Sequence, residues 1–284
     1  MKIILCLAVI LGALSGCKTT AVCTAPKVSP GYYPIDPLPV QLALPDGYEP
    51  QKMNEAILAV LPDETMRLSV GSFTYSGGIT YGPAGGSFSK GSYVVVLDYI
   101  KYTTLPVGIM EIEASTNAWL EAVEYGTDAP MSTGLFAGVG LRLTANLSVL
   151  ESNVDLGSLF AIGAAAEAKK VSGSMVIQTL GISGEPVSTM LPMPSEISQS
   201  SIQNAMLALG AIKAKLYEDD ITISPRILGF NNTYCKTPEA IHYFTASLLN
   251  MPRPYPPINL VQEFAVQACY GDDDVALADD GESD

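Results

Sequence analysis

The sequence predicts an α+β fold: a mainly antiparallel sheet of about six strands, with two or three helices packed on it, following a Pro-rich arm. Three observations predict it. Runs rich in Val, Ile and Tyr recur between residues 66 and 113, and such side chains suit a pleated, half-buried surface. Leu141-Arg142-Leu143-Thr144-Ala145-Asn146-Leu147-Ser148-Val149 alternates apolar and polar at every step, the period of a strand with one face in the core. Ile202, Met206, Leu209, Ile212 and Leu216 recur at helical spacing after Ser198 and Ser200, which predicts a capped, core-facing helix.

The chain starts with Lys2, an apolar run from Ile3 to about Leu14, and then Leu14-Ser15-Gly16-Cys17. The run is too short for the ~20 residues that cross a bilayer as a helix, so residues 1–16 read as a cleaved export signal. Leu-Ser-Gly-Cys resembles the lipobox of bacterial lipoproteins. That resemblance implies a diacylglyceryl group on Cys17, removal of the peptide before it and acylation of the new N-terminus. Each buried CH₂ contributes about 0.8 kcal/mol, so several chains attach the protein effectively for good. Lys18, where an Asp would retain the protein at the inner membrane, favours the outer membrane under the best-known sorting rule of that class. The middle of the chain resembles uncharacterised proteobacterial lipoproteins, a likeness that carries no activity with it.

From residue 17 to 45 the chain is punctuated by six prolines, Pro26 to Pro45, and reads as the acylated Cys followed by an extended tether. The alternative is a strap in which Tyr32, Tyr33 and Ile35 pack on the body. Residues 46–271 read as a single α+β domain and residues 272–284 as an acidic disordered tail. A short helix is expected over Gln51–Leu61, ended by Pro62, followed by strands at Met66–Tyr75, Tyr93–Tyr102 and Val107–Glu113. A glycine-rich connection, Gly77 to Gly86, separates the first two. No Gly-Lys-Ser/Thr follows it, so it is not read as a phosphate cradle.

A helix over Asn153–Lys170 is predicted next, with Asn153 as cap, Asp155 in the first turn and Lys169 and Lys170 in the last. Val171–Ser183 returns as a strand, either parallel through a βαβ crossover or antiparallel. After a Pro/Ser-rich loop come the helix beginning at Ser198 or Ser200, a strand at Ile221–Phe230 and a helix near Pro238–Asn250. A proline cluster, Pro252 to Pro257, and a last short helix through Ala268 close the body.

The whole chain carries 15 Lys and Arg against 29 Asp and Glu, a net charge of −14. Removing residues 1–16 makes this −15. The tail holds seven acids and no base, which leaves −8 on Cys17–Gly271. A body of that sign has no electrostatic footprint for nucleic acid or anionic headgroups, so the expected membrane contact is the lipid on Cys17. Cys6 leaves with the signal and Cys17 is acylated. In an oxidising compartment Cys235 and Cys269 are the expected disulfide, worth roughly 3–4 kcal/mol in the chain-entropy model. Cys23 is then the odd thiol.

Residues with catalytic character do not form a set. His242 is the only histidine, which excludes an imidazole-built metal site, and Glu239-x-x-His242 is half of a carboxylate motif without its other half. Ser87-Phe88-Ser89-Lys90 matches Ser-x-x-Lys, but the Ser-Asp-Asn and Lys-Thr-Gly elements that accompany it are absent from the sequence. Asp272-Asp273-Asp274 lacks the glycine and distal glutamate of a calcium loop. No metal, cofactor or catalytic residue is therefore predicted. Trp119 is read as a core anchor, with a glycan-stacking platform as the alternative.

Three functions are expected in order: a non-enzymatic envelope scaffold or accessory subunit with protein partners or self-association; a cell-wall or glycan hydrolase using Glu111, Glu113, Glu121 or Glu124; and a subunit of an oligomeric export pore, because Leu141–Val149 is also the length of a tilted membrane strand.

Overall fold

The computed structural model describes residues 31–44, 47, 49–73, 79–113, 118–125, 131–218, 220–235 and 237–250. The fold is α+β and mostly sheet. In chain order the elements are β1 (Gly31–Pro39), α1 (Met53–Ala59), β2 (Asp63–Phe73), β3 (Ile79–Pro83), β4 (Ser87–Phe88), β5 (Gly91–Glu113), β6 (Ala118–Tyr125), β7 (Ser132–Val149), β8 (Val154–Asp155), α2 (Leu159–Glu167) and β9 (Val171–Leu180). There follow β10 (Ile182–Ser183), α3 (Glu185–Met190), β11 (Ser195–Glu196), α4 (Gln199–Lys215), β12 (Thr222–Ile223), β13 (Arg226–Asn232) and α5 (Pro238–Asn250).

Among the described residues nine strands, where about six were expected, form one sheet with the path β1-β13-β7-β5-β2-β3, joined by β6 on β5 and by β9 and β11 beyond β7. Every pairing is antiparallel, including β7 with β9, which resolves the 139–183 segment as an antiparallel return. The two runs expected at Tyr93–Tyr102 and Val107–Glu113 are one strand, β5. Pro106 does not break it because β2 pairs only as far as Tyr102 and β6 begins at Val107. Between them β5 has β7 as its sheet partner, and a missing N–H is tolerated where a strand has one neighbour.

The alternation of residues 141–149 does mark a strand, and its odd positions form a buried stripe running back to Leu135. Val139 to Val149 pack with Ile57, Leu58, Leu156, Ile162, Ile202 and Ile212 from the helical layer. Leu135 and Ala137 instead join Ile241, Phe244 and Leu248 of α5. The opposite face carries a third cluster, Tyr32, Ile100, Phe136, Leu180 and Leu228.

Three expectations are corrected. The tether was set to run to residue 45, but Gly31–Pro39 is a strand, with Tyr32, Tyr33 and Ile35 buried as the strap reading required. Its prolines are accommodated because β1 pairs with β13 alone and its register shifts between Pro34 and Leu38. The helix expected from Asn153 begins at Leu159; Asn153 has φ 63 and Val154–Asp155 pair with Ser87–Phe88, while Ser158 Oγ accepts from the Ala161 amide as the actual cap. Thirdly, the expected strand at 221–230 is split, Thr222–Ile223 pairing with Ser183 and Ile182 and Arg226–Asn232 entering the main sheet.

The sheet curls until its first edge meets its last. Tyr33 Oη donates to the Ile79 carbonyl at 2.8 Å, Ser69 Oγ donates to the Tyr32 carbonyl at 2.8 Å, and the Tyr33 and Tyr81 rings meet edge-on at 5.1 Å. β1 is thereby laid back against β2 and β3.

Candidate functional site

Inside that curl lies the principal buried polar cluster. One row of register crosses the sheet through Arg67, Asp98, Arg142 and Gln178 on β2, β5, β7 and β9. It stands on the face opposite the row Leu68, Leu97, Leu143 and Ile177, as the two-residue period demands. Asp98 is fully buried and Arg142 nearly so. The guanidinium meets the carboxylate as a fork, Nε to Oδ1 and Nη2 to Oδ2, both at 2.7 Å.

The remaining valences are filled from strands distant in sequence. Arg142 Nη1 donates to the Ile35 carbonyl at 2.7 Å and Nη2 to the Leu228 carbonyl at 2.9 Å. Tyr32 Oη donates to Asp98 Oδ2 at 2.5 Å. Four strands thus meet at one ion pair.

Electrostatics holds Arg142 and Tyr32 in their protonated forms. Burial alone would lower the Arg142 pKa, but the hydrogen bonds and charge of Asp98 outweigh it and hold the guanidinium above its ordinary range. Burial, followed by the Asp98 charge, holds the Tyr32 hydroxyl well above the usual tyrosine value. The edge of Tyr32 packs on Phe136 at 5.2 Å, and the Arg67 guanidinium lies 5.4 Å from the same ring's centroid. A sealed, fully paired charge pair with no exposed acceptor ties elements together; it offers no open position to a substrate.

No family model, no curated protein and no solved structure matches this chain.

The residues singled out from the sequence do not converge on this cluster. Cys17, Cys23, Cys269, the proline cluster and the acidic tail lie outside the described residues. Cys235 is buried, and the carboxamide of Asn232 brackets it, Nδ2 donating to its carbonyl at 2.9 Å and Oδ1 accepting from its amide at 3.0 Å. Burial pushes a thiol there up to about 12. Beside it, Ile109, Thr133, Phe230, Tyr234 and Phe244 line a cleft with about 10 Å³ of space, room for one water.

His242 is exposed on α5, its ring 6.1 Å from that of Tyr243. Ser87 lies on a two-residue strand opposite Asp155 instead of opening a helix. Glu111 is exposed. In the β5–β6 ladder Glu111 faces Leu120, Glu113 faces Ala118, Glu121 faces Met110 and Glu124 faces Gly108, so none of the four acids is another's cross-strand partner. Trp119 sits opposite Ile112. The apolar side of Leu141–Val149, which a pore hairpin would turn to lipid, is packed under the protein's own helices.

The sequence marks Tyr32 as part of a strap but marks neither Asp98 nor Arg142 as a member of a site. The signal was there: Arg142 breaks the apolar tenor of Leu141–Leu143, and Asp98 is the one charge in Tyr93–Ile100. Pairing them required the register, which is a tertiary fact.

Proposed function

We propose that the chain is an envelope lipoprotein, held at a bacterial membrane, the outer one by the Lys18 criterion, through acyl chains on Cys17, and that its body is a non-enzymatic scaffold or accessory subunit. The observation that carries the reading is Leu14-Ser15-Gly16-Cys17 directly behind a short apolar run. Among the described residues no helix is long and apolar enough to cross a membrane, and a body at −8 has no attraction for anionic headgroups. The lipid is then the means of attachment.

The architecture favours a mechanical role. With the body starting at Gly31, residues 18–30 span at most about 45 Å, which keeps the domain close to the membrane. The first strand after that tether is β1, and Tyr32 and Ile35 bind it to the Asp98–Arg142 pair. A pull on the anchor is therefore met by hydrogen bonds to a buried charge pair. In the same reading Cys235 is bridged to Cys269, which secures the other end of the body.

Two measurements test this. Cys17→Ser is expected to lose labelled fatty acid and move from the membrane fraction to the soluble fraction; a Cys17→Ser chain that stays on the membrane overturns the anchor. Purification of the intact chain from detergent is expected to bring down a partner or an oligomer. Recovery of the bare monomer alone sinks the scaffold reading.

A further inference from the structure

The strap formed by β1 and the residues after it is held unequally along its length. In its first half every residue from Tyr32 to Ile35 is buried. Tyr32 donates to Asp98, and its carbonyl accepts from Ser69 Oγ at 2.8 Å. Tyr33 stacks on Phe230 at 5.3 Å and donates to the Ile79 carbonyl at 2.8 Å, and the Ile35 carbonyl accepts from Arg142. This half is thereby bonded to β2, β3, β5 and β7 as well as paired with β13.

Beyond Ile35 the fastenings stop. Asp36 and Pro37 have no partner on β13, Leu38 and Pro39 are the last residues that do, and a proline brings no amide to a ladder. Residues 40–44 lie outside any helix or strand, and among the described residues no hydrogen bond involves them. Apolar contact alone holds them down. Leu38, Val40 and Leu42 pack on the core beneath α5, and Leu42 and Leu44 on the core of the helical layer, so Leu42 sits across the junction of the two. A segment with few hydrogen bonds and much exposed backbone opens at a lower free energy than the sheet beside it.

We infer that residues 36–44 are a flap hinged beside Ile35, which lifts off the junction of the two cores while residues 31–35 stay locked in the sheet. The order is the reverse of ordinary fraying, in which the first strand of a domain lets go from its outer end. Here the outer end carries the contacts to the buried charge pair, and the inner end carries apolar contacts only. Opening therefore uncovers the surface under Val40 and Leu42 without loosening the end of β1 that continues into the N-terminal segment. The inference goes beyond the anchor and does not depend on Cys17.

Thiol labelling of the full-length chain in detergent tests it. Ile35 and Val40 are equally buried, each 6% exposed, so the rate at which a cysteine at either place meets a thiol reagent reads opening and not static exposure. Val40→Cys is expected to label about ten-fold or more faster than Ile35→Cys, each site followed by peptide mass spectrometry. Tyr32→Phe keeps the ring and removes the hydroxyl; it is expected to speed labelling at Ile35→Cys and to leave Val40→Cys at its own rate. Equal rates at the two positions, or acceleration of both by Tyr32→Phe, overturns the inference. Chymotrypsin on the parent chain gives a readout without any substitution: the Leu42–Ala43 bond is expected to be cut before Tyr32–Tyr33, and the opposite order sinks the proposal. Neither result bears on Cys17→Ser, which tests the anchor alone.

Discussion

At the scale of single residues, Asp98 and Arg142 tie four strands together through one buried ion pair. Removing one member of a buried pair strands the other charge, typically at a cost of about 3–5 kcal/mol, whereas replacing both with apolar residues of similar volume is often neutral. Arg142→Met is therefore expected to lose about 3–5 kcal/mol in urea unfolding, and Asp98→Leu/Arg142→Met to lie nearer the parent than that single variant. Tyr32 retains an acceptor in the double variant, because its hydroxyl also lies 3.3 Å from the Leu228 carbonyl. A double variant as unstable as the two singles added together would show that the pair is not coupled.

Individual elements are set by their ends as much as by their faces. α2 stops in a Schellman-type turn: the Lys170 amide bonds to Ala165 O at 2.8 Å and the Lys169 amide to Ala166 O at 2.9 Å, with Lys169 at φ 58. A β-carbon in that left-handed region costs on the order of 1 kcal/mol, and glycine does not carry it. Because Lys169 is exposed, Lys169→Gly is expected to raise stability by about that amount, read as a higher denaturation midpoint at unchanged slope. The helix expected from Asn153 to Lys170 was legible in its small-residue middle and misplaced at its start. Asn153 is as suited to a left-handed turn as to a cap, and only the pairing of β8 with β4 selects the turn.

For the whole molecule, the buried and half-buried tyrosines of the sheet predict how stability responds to base. Burial raises the hydroxyls of Tyr32, Tyr33, Tyr81 and Tyr99 above their ordinary 10.0, Tyr99 to about 12. Each folded-state value exceeds the unfolded one, so the stabilisation is complete below pH 10 and is lost as pH rises from about 10 toward 12. Unfolding free energy is expected to hold through neutral pH and to fall in that window, with tyrosinate absorbance rising together with unfolding. Tyrosinate appearing well before loss of structure would contradict the buried placement.

The sequence by itself determined the α+β class, the strand at 141–149 and the helix begun at Ser198 or Ser200, because period-2 and period-3.6 patterns and caps are local. Tertiary structure decided which strands are neighbours. It made β1 a strand although Pro34, Pro37 and Pro39 read as a tether, since a lone edge forgives missing amides. It joined two predicted strands through Pro106 for the same reason. It also brought Tyr32, Asp98, Arg142 and Leu228 together across 196 residues of chain. A hydrogen-bonded register is a relation between distant segments, and no window of sequence contains both sides of it.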